Sequence, residues 1–130
     1  MPLKAKTYSF EEVKNCMQLS SINLIPAEHR IIAQKVKAVI KSVDPLAIAI
    51  LFGSRARGDA SEESDWDFLV LSNTDDVETL ASDMRRAIRI KVEMVYDIAV
   101  SLLVKNKMVW EEDYAVTNIY DSIREEGIVL

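Results

Sequence analysis

Apolar positions along the chain change their period several times, and each change marks an element. From Pro26 onward Ile32, Val36, Val39, Ile40 and Val43 recur at helical spacing until Asp44-Pro45 breaks the pattern, which predicts a helix over 26–43. The run 46–52, Leu-Ala-Ile-Ala-Ile-Leu-Phe, carries no polar side chain and is bounded by Pro45 and Gly53, the pattern of a strand covered on both faces. A second strand is expected over 66–71. Val77, Leu80, Ala81, Met84, Ala87 and Ile88 then mark an amphipathic helix, with Asp75 and Glu78 placed to cap its start.

Ile90 to Tyr96 alternates, with Ile90, Val92, Met94 and Tyr96 on one side, and this predicts a third strand on which Glu93 faces away from Met94. The remainder reads as mostly helical. Val116, Ile119, Tyr120 and Ile123 form one stripe, Gly127 is expected as a helix C-cap, and Ile128-Val129-Leu130 as a short last strand. Ser9 followed by Glu12 resembles a capping box and predicts a helix over 7–18. Helices separating strands give an α/β (α+β) fold, a small mixed sheet flanked by helices. The chain divides into a helical extension, 1–25, and a domain, 26–130.

Composition narrows the function classes. The net charge of −5 offers no electrostatic footprint for long nucleic-acid backbones, whose binding rests on many Lys and Arg contacts. No apolar run is long enough for a bilayer, no leader is visible, and a lone Cys16 excludes an intrachain disulfide; a cytoplasmic protein without membrane contact is expected. His29 reads as a surface residue beside Arg30.

Two of the three glycines, Gly53 and Gly58, fall within six residues, directly after the apolar strand. Gly53 permits a close approach of backbone to ligand, and Ser54 opens a turn whose free N–H groups suit a phosphate. Asp65 and Asp67 stand two apart, so on a strand their carboxylates leave one face with Cα atoms roughly 6.6 Å apart. Such a pair repels itself unless a cation intervenes, and hard oxygen ligands beside phosphate select Mg²⁺. A third carboxylate on a neighbouring strand would complete a two-ion clamp; Glu93 is the candidate, with Asp97 four residues on as its rival. Arg55 and Arg57 are suited to phosphate oxygens, or else are solvated charges on the turn.

Gly53-Ser54, ten intervening residues and then Asp65-Trp66-Asp67 resembles the signature of the DNA polymerase β-type nucleotidyltransferase superfamily. Within it the chain is most similar to the minimal nucleotidyltransferases, the antitoxin-like members of HEPN/MNT pairs. The likeness covers residues 26–96 and, more loosely, the ending Arg124-Glu-Glu-Gly-Ile-Val-Leu130. It implies a nucleotidyltransferase fold, a triphosphate gripped by Gly53 and Ser54, and metals on Asp65 and Asp67. Lys91-Val92-Glu93 matches the third carboxylate position, where Asp is commoner.

The resemblance further implies transfer of AMP from ATP, with Mg²⁺, to a hydroxyl. The acceptor it points to is a tyrosine of a helical ribonuclease toxin, which this chain would neutralise; a homo-oligomer is compatible with that reading. Two alternatives stand beside it: modification of a small hydroxyl-bearing antibiotic, for which 130 residues leave little room to build an acceptor domain, and a module that neutralises a partner by contact alone.

Overall fold

The computed structural model describes residues 20–21 and 25–130. The expected helix over 7–18 and Cys16 lie outside them. Along the chain the elements are β1 (Ser20–Ser21), α1 (Ala27–Val43), β2 (Ile48–Phe52), α2 (Ser54–Arg57), β3 (Trp66–Ser72) and α3 (Val77–Ile88). A π-helical segment (Arg89–Glu93) follows, then α4 (Met94–Tyr96), β4 (Val100–Asn106), α5 (Lys107–Asp113), α6 (Asn118–Glu126) and β5 (Ile128–Val129).

The strands form one mixed sheet in the order β1-β5-β2-β3-β4. β2 runs antiparallel to β3 and β5, whereas β3 and β4 are parallel. Phe68 and Val70 of β3 pack with Ala33, Val36 and Ile40 of α1 and Met84 and Ile88 of α3. Leu69 and Leu71 turn to the other face, against Trp110, Tyr120 and Ile123 of α5 and α6. A strand covered on both sides has no solvent face to mark with polar residues, and this is why β2 and β3 read as continuous apolar runs. β2 begins two residues later than the run suggests, because Leu46 is 67% exposed in the preceding turn. Among the described residues no helix is long and apolar enough to cross a membrane.

The expected third strand over Ile90 to Tyr96 is helical instead. α3 passes without a break into the π segment, where the Met94 N–H bonds Arg89 O, and the stretch ends at Asp97 in the left-handed conformation (φ 54°). The Ile98 N–H then reaches back to Glu93 O, a Schellman-type closure. Alternation was a misleading cue, since Val92 also continues the helical series Ala81, Met84, Ile88. Val92 is fully buried while Ile90 and Met94 are 58% and 72% exposed. Burying one Val contributes about 1.5–3 kcal/mol, and only the helix buries it beside Ile88. The actual third strand is β4, inside the region expected to be mostly helical.

Smaller differences have equally local causes. α3 is capped by Asp76 and not Asp75, its carboxylate accepting from the Thr79 N–H. Gly127 follows α6 as expected but is extended (φ −63°, ψ 143°), because the chain must turn straight into β5. Val116 leaves the expected stripe and is almost wholly exposed, while Tyr120 and Ile123 are buried.

At the C-terminal end of β3 the polar groups answer one another. Ser72 Oγ donates to Asp44 Oδ2 (2.7 Å), and Asn106 Nδ2 donates to Thr74 O (3.0 Å). Asn106 Oδ1 accepts the Met108 and Val109 N–H groups, capping α5. Lys41 and Lys107 donate to Ala47 O and Leu46 O.

Candidate active site

The opposite end of β3 is built differently. Asp67 lies in β3, half-buried, paired with Phe52 of β2 on one side and with Ser101 of β4 on the other. Asp65 precedes the strand and is exposed. Burial raises the Asp67 carboxyl above the usual carboxylate range, Asp65 and Glu126 push it further in that direction, and only Arg57 opposes them. A carboxylate in this position gains from a cation.

Gly53 meets Asp67 directly. Its backbone (φ 74°, ψ −159°) belongs to a region essentially reserved for glycine, and a Cβ there would collide with Asp67 Oδ2. The missing side chain therefore leaves the space that the carboxylate occupies. Ser54 begins α2, whose first N–H groups have no acceptor within the helix. Gly58, also at positive φ (85°), ends the helix after four residues.

The two arginines of α2 diverge. Arg55 is buried: its Nη2 donates to Glu62 O (3.2 Å) and Ser64 O (3.0 Å), and its guanidinium lies 4.8 Å from the Trp66 ring centre. It braces the loop that delivers Asp65, where the sequence suggested phosphate binding or a solvated charge. Arg57 faces outward, paired with Asp59 (3.2 Å) and with both oxygens of Glu126 (3.2 and 3.0 Å). Trp66 points to the opposite face from Asp67, with His29 edge-on at 5.6 Å, so His29 is a half-buried packing residue and not a freely exposed one.

Glu93 is not brought to the aspartates. Ala99 O accepts from Trp66 N on the β3 side, while the Val100 N–H of the same peptide unit donates to Glu93 Oε2 (3.1 Å). In a trans peptide these two groups point in opposite directions, so Glu93 lies beyond the outer edge of β4, with a whole strand between it and Asp67. There it lines a cavity of about 340 Å³ together with Arg85, Arg86 and Arg89. β4 itself, Val-Ser-Leu-Leu-Val-Lys-Asn, carries no acid, and the residue in register with Asp67 is Ser101.

The second acidic group that Asp67 senses, after Asp65, belongs to α6. Glu126 Oε1 accepts the Gly53 N–H (3.1 Å) as well as Arg57. Nothing local in Arg124-Glu-Glu-Gly marks Glu126 for the site, because only the β5–β2 pairing carries it to the turn. Among the described residues no three His, Cys, Asp or Glu side chains converge as a ready-made metal site. Asp65 and Asp67 do fit Mg²⁺ held by one or two carboxylates and completed by phosphate oxygens and water. A three-carboxylate cage is not what this site offers.

A match to the family described as Polymerase beta, Nucleotidyltransferase spans residues 34–113, well over half of the chain and including the turn, both aspartates and β4. Among curated proteins, none matches the chain.

Proposed function

The chain belongs to the polymerase beta nucleotidyltransferase family, and on that premise we propose that it transfers AMP from ATP, with Mg²⁺, to a hydroxyl of a partner protein, releasing pyrophosphate. The observation that carries the reading is the fit of Gly53 against Asp67 beside the open first turn of α2. Ser54 and Arg55 would offer backbone N–H donors to phosphate oxygens, and Asp67 lies against the turn that carries them. Asp65 and Asp67 would hold the metal, which when bound neutralises phosphate charge and polarises the reacting phosphorus.

The acceptor oxygen forms its bond to the α-phosphorus as the bond to the bridging oxygen of pyrophosphate breaks, and the hydroxyl proton leaves to solvent at the rim where Asp65 is exposed. That open rim supports an acceptor presented from outside. A tyrosine of a helical ribonuclease toxin is the acceptor we propose, with the antitoxin role following from it: a transferred AMP adds negative charge and bulk that would exclude RNA.

A second reading rests on Ser101. With no acid on β4 to take the hydroxyl proton, the same surface would serve a module that silences its partner by contact alone. Co-expression of the partner with wild-type chain or with Asp65→Asn/Asp67→Asn separates the two. A nucleotide-sized mass gain on the partner, and relief of toxicity with wild type alone, is the expected result. Equal relief by the double variant without a mass change would establish the contact reading.

A further inference from the structure

The turn that faces the nucleotide has little stability of its own. α2 is four residues long and lies between two positive-φ glycines, far below the length at which a helix sustains itself. Its geometry must be imposed from outside. On the inner side Arg55 ties it to Glu62 and Ser64. On the outer side one carboxylate touches both ends: Glu126 takes the Gly53 N–H at the start of the helix and the Arg57 guanidinium at its close.

Glu126 is itself firmly rooted. It is the last residue of α6, the next N–H (Gly127) bonds Ile123 O at 2.7 Å, and β5 pairs at once with β2 through Leu51↔Ile128 and Ile50↔Val129. β2 is the strand that leads into the turn. The Glu126 side chain is only 18% exposed, so water competes weakly for its oxygens, and a charge-assisted pair with Arg57 holds a fixed orientation.

We propose that Glu126 is a positioning residue for nucleotidyl transfer: by holding Gly53 and Arg57 at once, it fixes the first-turn N–H groups of Ser54 and Arg55 relative to Asp65 and Asp67. This rests on the function proposed above. A ligand role toward the metal is disfavoured by the same contacts, since both oxygens are engaged by Arg57 and one also by Gly53.

The test compares wild type with Glu126→Ala, Glu126→Gln and Arg57→Ala, alone and in the combination Glu126→Ala/Arg57→Ala. Three quantities are read: equilibrium binding of a non-hydrolysable ATP analogue with Mg²⁺, the Mg²⁺ midpoint at saturating analogue, and thermal melting. Misplacing reacting groups by an ångström costs on the order of a hundredfold in rate, and loosening the hydrogen-bond donors that grip a ligand lowers its affinity as well. Glu126→Ala is therefore expected to bind the analogue about tenfold more weakly. Glu126→Gln, which keeps an acceptor for Gly53, should be intermediate. The double variant should be little worse than either single one, because both break one unit.

A lower melting temperature with unchanged affinity per folded molecule would reduce Glu126 to a fold anchor and overturn the proposal. A tenfold shift of the Mg²⁺ midpoint in Glu126→Gln would overturn it in favour of a metal ligand. If the wild type binds no nucleotide, the proposed function falls and the positioning role falls with it; if the wild type binds and Glu126→Ala binds equally well, only the positioning role is lost.

Discussion

The two ends of β3 solve opposite problems. At Ser72 most polar groups are answered: Asp44 receives Ser72, Thr74 receives Asn106, and two lysines close on backbone carbonyls, with the buried Asn73 Oδ1 as the exception. At Asp67, five residues earlier, the Asp65 and Glu126 carboxylates add to burial in raising its carboxyl, and a neighbouring glycine holds a conformation other residues avoid. Satisfied hydrogen bonds at one end stabilise the fold. Clustered negative charge at the other costs stability and favours a cation, which on the function proposed above is what makes this end reactive.

The sharpest way to break this contrast is to neutralise the reactive end. Asp65→Asn/Asp67→Asn should lower transfer by at least about a hundredfold, since electrostatic stabilisation of the reacting phosphate is lost. The same change should leave the melting temperature unchanged or raise it. The sign follows from Asp67: a carboxyl raised in the folded state is best accommodated when protonated, so its contribution is present at low pH and lost as pH rises through the folded value. With chelator present, the double variant should therefore outlast wild type at neutral pH, with the gap closing as pH falls into the carboxylate range. A variant that melts well below wild type at neutral pH would refute the account.

Next in size is Gly53→Ala. The strained backbone region costs about 1–3 kcal/mol, and the added methyl must displace Asp67. Both stability and nucleotide binding should fall, as calorimetry and a binding titration would show; a fall in stability alone would detach Gly53 from the site.

The rigid end should respond in one quantity only. Asn106→Ala removes a helix cap and strands the acceptor at Thr74, a loss of about 2 kcal/mol in chemical denaturation, with nucleotide affinity per folded molecule unchanged. The smallest effect concerns Lys107. Burial lowers its ammonium below the ordinary 10.5, with Asp44 opposing, so the unfolded chain binds more protons in that interval. Stability should thus rise with pH between the lowered value and about 10.5, and Lys107→Met should flatten that rise in pH-dependent melts.

The reactive end was largely readable before the fold was known, because its main parts are contiguous: Gly53-Ser54 leaves one buried strand and Asp65-Trp66-Asp67 opens the next. The helix at 26–43 and the strands at 46–52 and 66–71 were readable for the same local reason. What escaped depends on distance or on coincidence of period. Over 90–96 alternation and helical spacing both select Val92, and Met84 and Ile88, not the segment itself, decide between them. β4 alternates in burial, with Leu102, Val104 and Asn106 inward, but in sequence it stands without a turn signal to separate it from the helical pattern around it. Arg55 and Arg57 look equivalent in sequence; Trp66 and Glu126 draw them to opposite sides.

The Gly53–Glu126 bond closes a loop of 73 residues. Contacts of such separation form late, after local turns and hairpins have collapsed, because their loop entropy must first be offset by other structure. A chain that has paired β2 with β3 already holds Asp67 beside the glycine turn, yet the carboxylate that spans the turn arrives only when α6 and β5 dock. Competence to grip a nucleotide would then be acquired at the last stage of folding, and partly folded chains would not draw on the cell's triphosphates.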